Sequence, residues 1–126
     1  MQERHILISA ATSMLIAIAC GAFGAHGLKQ ILSTDMLAIW QTAVQYQVIH
    51  GLAMLGLVAL STRYDAKRLS QIALCFVVGT LIFSGSLYLL AITGIKWLGA
   101  ITPIGGTAFL VGWFLMISLA LKKDKF

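Results

Sequence analysis

Charge is scarce in this chain of 126 residues, where Asp, Glu, Lys and Arg together make up only 10%. A soluble domain carries about 25% charged and about 45–50% apolar residues, so this sequence has too little polar material to cover a water-facing surface. That excludes an ordinary soluble globule, a disordered chain and a nucleic-acid binder. Acids are scarcer still. Glu3, Asp35, Asp65 and Asp124 all lie in tails or loops, so no buried carboxylate offers the proton relay of a coupled transporter. The two cysteines, Cys20 and Cys75, sit inside apolar runs, with no CxxC pair and no disulfide framework. Cys20 falls in the outer half and Cys75 in the inner half of the expected spans, so both read as small apolar fillers. Nor does the sequence offer a nucleophile beside a base, a phosphate loop or paired carboxylates. Gly21, Gly24 and Gly27 are spaced by three with no strand before them, which is not a dinucleotide fingerprint. Catalysis and cofactor binding have no positive signal.

What the chain does contain is 60% apolar residues, and a bilayer crossing takes about 20 of them. The supply is enough for four crossings, at about residues 6–25, 42–61, 70–93 and 102–121. The first follows Arg4 and His5, and Ala17-Ile18-Ala19 resembles a signal-peptidase site. The apolar run continues past that site, however, which favours a helix packed with others. Ser9, Ser13, Ala17, Gly21 and Ala25 recur every four residues along it and predict a small-residue stripe for close helix approach. Ala108 and Gly112 offer a second such face on the last helix. Ser33, Thr34 and Asp35 are candidate caps for the second helix, and Thr102 followed by Pro103 reads as the start of the fourth.

Short connections predict an all-α, transmembrane four-helix bundle with antiparallel, up-down connectivity. Orientation follows from the basic residues. Arg4, Arg63, Lys67, Arg68, Lys122, Lys123 and Lys125 fall on one side, and Lys29 and Lys96 on the other. The richer side is cytoplasmic, which puts both termini there.

With that topology the unusual polar residues gather in the outer half. His26 ends the first helix. At about 100° per residue, Tyr46, Gln47 and His50 share one face of the second, while Val44, Val48, Leu52 and Leu55 suit lipid. Thr80, Ser84 and Tyr88 are four apart on one face of the third, with Ser84 and Tyr88 in its outer part, and Thr102 opens the fourth. At about 1.5 Å per residue, His50 lies about 10–15 Å below the outer interface. It is expected to point inward, neutral and hydrogen-bonded, to Ser84, Tyr88 or the region of His26. Two readings stand for these residues. Polar groups in membrane bundles serve as hydrogen-bonding glue between helices, and intramembrane ionisable groups also mark functional pockets. Metal is disfavoured, because His26 and His50 would need further ligands from Asp35 or from Cys20 at another depth. Haem ligation by the two histidines has no second supporting feature. Trp40, Trp97, Tyr64 and Trp113 read as interface anchors or core.

Gly21-Ala22-Phe23-Gly24-Ala25-His26-Gly27-Leu28 resembles the signature that closes the first helix in the YgdD-like family of small bacterial inner-membrane proteins. The likeness continues through Trp40, Ala43, Tyr46 and His50, then Phe83-Ser84-Gly85-Ser86-Leu87-Tyr88, Thr102-Pro103-Ile104-Gly105-Gly106 and Gly112-Trp113. The resemblance implies a four-span inner-membrane protein and carries no activity with it. Two functions remain. One is a non-enzymatic bundle that associates with a second copy or another membrane protein. The other binds or transports a small ligand in a polar pocket of the outer half. The lipid bilayer is the expected surrounding in either case.

Overall fold

A computed structural model describes residues 1–122 and contains helices and turns only. Lys123 and Lys125, both counted toward the cytoplasmic side, and Asp124 lie outside the described residues. Helix α1 spans Glu3–Ala25, α2 Thr34–Ala59, α3 Ala66–Gly79, α4 Gly85–Thr93 and α5 Thr102–Lys122. A π-helical segment, Thr80–Ser84, joins α3 to α4, and short 3-10 turns at Leu28–Gln30 and Lys96–Ala100 precede α2 and α5. Four of the resulting helical units, Glu3–Ala25, Thr34–Ala59, Ala66–Thr93 and Lys96–Lys122, are long and apolar enough to cross a membrane.

The ends follow local chemistry. Of the three candidate caps of α2, Ser33 takes the role, its hydroxyl accepting from the Met36 N–H at 3.2 Å. Gly94 ends α4 in the left-handed region at φ 72°, where a side chain would be strained. The charged linker is shorter than expected. Helix α3 begins at Ala66, so Lys67 and Arg68 sit on its first turn, and Arg68 pairs loosely with Asp65 at 4.0 Å.

The main core draws on four helices: Ile6 and Ala10 of α1, Met54 and Leu57 of α2, Leu69, Ile72 and Phe76 of α3, and Phe109 and Leu119 of α5. A smaller cluster of Leu28, Trp40 and Ala91 closes the end where α1 turns into α2. Large apolar side chains such as Leu15, Leu81, Leu110 and Phe114 face outward. Water would penalise a surface of this kind, whereas lipid does not.

The small-residue stripe behaves differently along its length. Ala17 is buried, Ser9, Ser13 and Gly21 are half-buried, and Ala25 is exposed. Steps of four advance about 40° each around a helix, so the stripe winds off the packed face before Ala25. The buried set is instead Ile6, Ala10, Ala17 and Gly24. Val44, expected against lipid, packs 3.4 Å from the Cβ position of Gly21. On α5 the close approach is tightest. A Cβ on Gly112 would meet the Phe76 ring at 2.6 Å, and one on Gly105 would run into the Phe83 backbone inside the π segment. Ala108 is half-buried between them.

Candidate functional site: a polar layer and an aromatic groove

The inward polar residues form separate hydrogen-bonded sets, each joining different helices. Gln47 is buried on α2. Its Nε2 donates to the Ser13 carbonyl of α1 at 3.0 Å, and its Oε1 accepts from the Tyr88 hydroxyl of α4 at 2.7 Å. The carbonyl only accepts, which fixes the orientation of the amide. Ser84, at the end of the π segment, donates to the Ala43 carbonyl of α2 at 2.7 Å. Ser86 and Thr102 share a hydrogen bond of 2.6 Å between α4 and α5. Near the smaller core cluster, the Trp40 indole donates to the Cys20 carbonyl at 2.9 Å.

His50 belongs to none of these sets. Its Nδ1 lies 2.8 Å from the Tyr46 carbonyl on its own helix, and its Nε2 accepts from the Trp113 indole of α5 at 3.0 Å. Because a carbonyl cannot donate, the proton sits on Nδ1, and the ring is the neutral tautomer. The expected partners Ser84 and Tyr88 are engaged elsewhere. His26 caps the end of α1 in an exposed position and takes no part. Trp113 is the participant that sequence reasoning assigns only to anchoring or core. Its signal is the spacing of four from Phe109, which places both rings on the α5 face turned toward His50.

Around His50 the rings form a continuous aromatic wall. Its imidazole stacks on Phe109 with centroids 3.6 Å apart and planes 7° from parallel. Tyr46 packs on Phe83 at 4.7 Å. These rings line an outward-opening groove between α2 and α5, about 590 Å³ in volume, whose other edge carries Pro103, Gly106 and Trp113. Tyr46 is 38% exposed there.

The chemistry of this arrangement is cohesive. Both ring nitrogens of His50 are in use, and no Ser, Thr or Cys hydroxyl or thiol bonds to it, so it activates no nucleophile among the described residues. Nor do three His, Cys, Asp or Glu side chains gather as a metal would need among the described residues.

Comparison with known proteins places the chain. Residues 20–106 match the family model described as protein of unknown function (DUF423). The inner membrane protein YgdD of Escherichia coli strain K12 is 39% identical over 125 residues, covering 99% of this chain and 95% of that protein. The membrane protein YwdK of Bacillus subtilis strain 168 is 38% identical over 117 residues, 92% of this chain and 95% of its own length. A membrane protein of Staphylococcus epidermidis strain ATCC 12228 is 42% identical over 118 residues, with 92% and 94% covered. No solved structure matches the chain. The YgdD resemblance carried by the glycine-rich end of α1 is therefore a family relationship, and this integral membrane protein belongs to the DUF423 family of unknown function.

Proposed function

We propose that this protein is a non-enzymatic inner-membrane bundle that acts by association, offering a lateral surface to a transmembrane helix of a second copy or of another membrane protein. The observation that carries this reading is the groove between α2 and α5, about 590 Å³ and walled by Tyr46, Phe83, Phe109 and Trp113. Helix association in lipid is driven by van der Waals packing where small residues admit a close approach, and Gly106 supplies such a point on the groove wall. The alternative, a small ligand held in the outer half, draws less support. Ser84 and Tyr88 already donate within the bundle, and Gln47 commits its oxygen and one N–H there.

The orientation we assign is up-down and antiparallel, with both termini in the cytoplasm, on the strength of the distribution of Lys and Arg. Cysteine cross-linking in native membranes tests the association. In a background with Cys20 and Cys75 replaced, Leu110→Cys on the groove rim should form a discrete cross-linked species, and Leu121→Cys, on the far end of α5, should not. A protein that stays monomeric in membranes, with no cross-linked or co-purified partner, removes the basis of the reading.

A further inference from the structure

A second cavity lies away from the groove, on the side of the molecule where α1 faces α3. It is about 270 Å³ in volume. Its walls carry Ser9, Thr12, Ser13, Gln47 and Thr80. Ser13 lies near the middle of Glu3–Ala25, Gln47 near the middle of Thr34–Ala59 and Thr80 near the middle of Ala66–Thr93. The polar lining is therefore at mid-depth of the spans, where water is least available. Ile8, Ile16 and Leu81 flank it and face outward, so the mouth opens sideways into lipid.

Two hydroxyls on residues lining this cleft, Ser13 Oγ and Thr80 Oγ1, are buried with no hydrogen-bond partner among the described residues, and an occupant of the cleft would meet them once the side chains turn toward it. The case of Thr80 is the more telling. Thr42, Thr93, Thr102 and Thr107 each return their hydroxyl to the carbonyl four residues earlier, the ordinary satisfaction of threonine in a helix. Thr80, which opens the π segment, does not. Buried polar groups without partners are rare, and an acceptor entering the cleft would complete these. Gln47 adds a third unmet donor. One N–H of its amide goes to the Ser13 carbonyl and its oxygen takes the Tyr88 proton, which leaves the second N–H over.

The chemistry that this cleft would accept follows from its lining. Among the described residues no acidic, basic or thiol side chain lines the cleft, so a neutral occupant fits it. The mouth faces lipid, so it is lipid-soluble. An amide N–H can only donate, and two hydroxyls are free to donate beside it, so the occupant presents acceptors. The volume is just under the range of about 300–1,000 Å³ that encloses drug-sized ligands, enough for a ring-sized head but not for a whole lipid.

We propose that the α1–α3 cleft binds a neutral, membrane-soluble carbonyl compound of the quinone type, its head between Ser13 on one wall and Thr80 on the other and its apolar tail in the bilayer. The test uses decylubiquinone, ¹³C-labelled at its carbonyls, with the purified full-length protein in phosphatidylcholine nanodiscs. Saturable binding with a carbonyl infrared band moved to lower wavenumber supports the site. Ser13→Ala with Thr80→Val should weaken binding about ten-fold or more. Because neither hydroxyl is paired among the described residues, thermal stability should hold or rise. If the double variant does not fold, Thr80→Val against Thr80→Ser carries the same comparison, with binding retained only in the serine form. Absence of saturable binding, equal affinity in the hydroxyl-free variants, or equal binding of decanol, which offers a hydroxyl but no carbonyl, overturns the proposal.

Discussion

His50→Leu removes the acceptor of the Trp113 indole N–H, 3.0 Å away, and leaves that donor unpaired beside an apolar groove. An unsatisfied buried donor costs about 1–3 kcal/mol. The imidazole also stacks on Phe109 at 3.6 Å, an arrangement worth about 0.5–1.5 kcal/mol beyond its area. Leucine recovers most of the buried area, so hydrogen bond and stacking are the losses to weigh. Interhelical bonds in membranes average only about 0.6 kcal/mol, with a maximum near 1.7, because the unfolded helices also find partners. Taking about 0.6–1.7 kcal/mol for the bond and about 0.5–1.5 kcal/mol for the stacking, we expect His50→Leu to cost about 1–3 kcal/mol in all. Trp113→Phe keeps an aromatic ring but offers no N–H, and should cost about 0.5–1.5 kcal/mol. The double variant should fall short of the sum by about 1 kcal/mol, because the second substitution removes the stranded partner of the first. Reversible unfolding in mixed micelles, followed by circular dichroism, measures all three. Additivity within about 0.3–0.5 kcal/mol would show that the two side chains are not coupled, and the His50–Trp113 bond would then hold nothing together.

Gly105→Ala drives a methyl into the Phe83 backbone and should destabilise by about 1–3 kcal/mol or more, since backbone yields less than a side chain. Gly85→Ala, where no atom within 4 Å meets the new Cβ among the described residues, should be neutral or slightly stabilising, and equal thermal shifts in the two variants would refute the close-packing argument. Gln47→Leu strands the Tyr88 hydroxyl and removes the second bond to the Ser13 carbonyl, which keeps its helical partner, and should cost about 1–3 kcal/mol by the same unfolding assay; no measurable loss would mean that this bridge between α1, α2 and α4 is not formed. Reporter fusions at either terminus should read cytoplasmic and one in the loop after α1 external, and an external C-terminus would contradict the up-down arrangement.

The four spans are legible in composition because apolar runs of about 20 residues in a charge-poor chain have no other stable setting. The cap at Ser33 and the left-handed stop at Gly94 are equally local, and each is encoded within a turn of where it acts. The π segment is not local. A spacing of four predicts Thr80, Ser84 and Tyr88 on one face, yet the Gly85 N–H bonds back to the Thr80 carbonyl five residues earlier, and this shifts the register of everything that follows. Ser84 then reaches Ala43, Tyr88 reaches Gln47, and Thr80 is left facing the α1–α3 cleft. The structural counterpart lies on another helix, where Gly105 allows α5 to press on the Phe83 backbone. A contact between segments so far apart leaves no periodic trace in either.

The same limit governs the polar layer. Periodicity gives the direction in which a side chain leaves its helix, and it places Tyr46, Gln47 and His50 together on α2. It does not say which neighbour lies in that direction at a given height. Ala43, Gln47 and His50 fall within an arc of about 60°, yet they meet the π segment, α1 with α4, and α5 respectively. One narrow face of α2 thus touches every other spanning helix, each at its own level. That accounts for a feature composition alone leaves unexplained. Helix α2 has a mean hydropathy of 1.3 where the other spans have 2.0 to 2.2. A helix at the centre of a membrane bundle can carry more polar side chains than its neighbours, because the partners that satisfy them are helices rather than lipid.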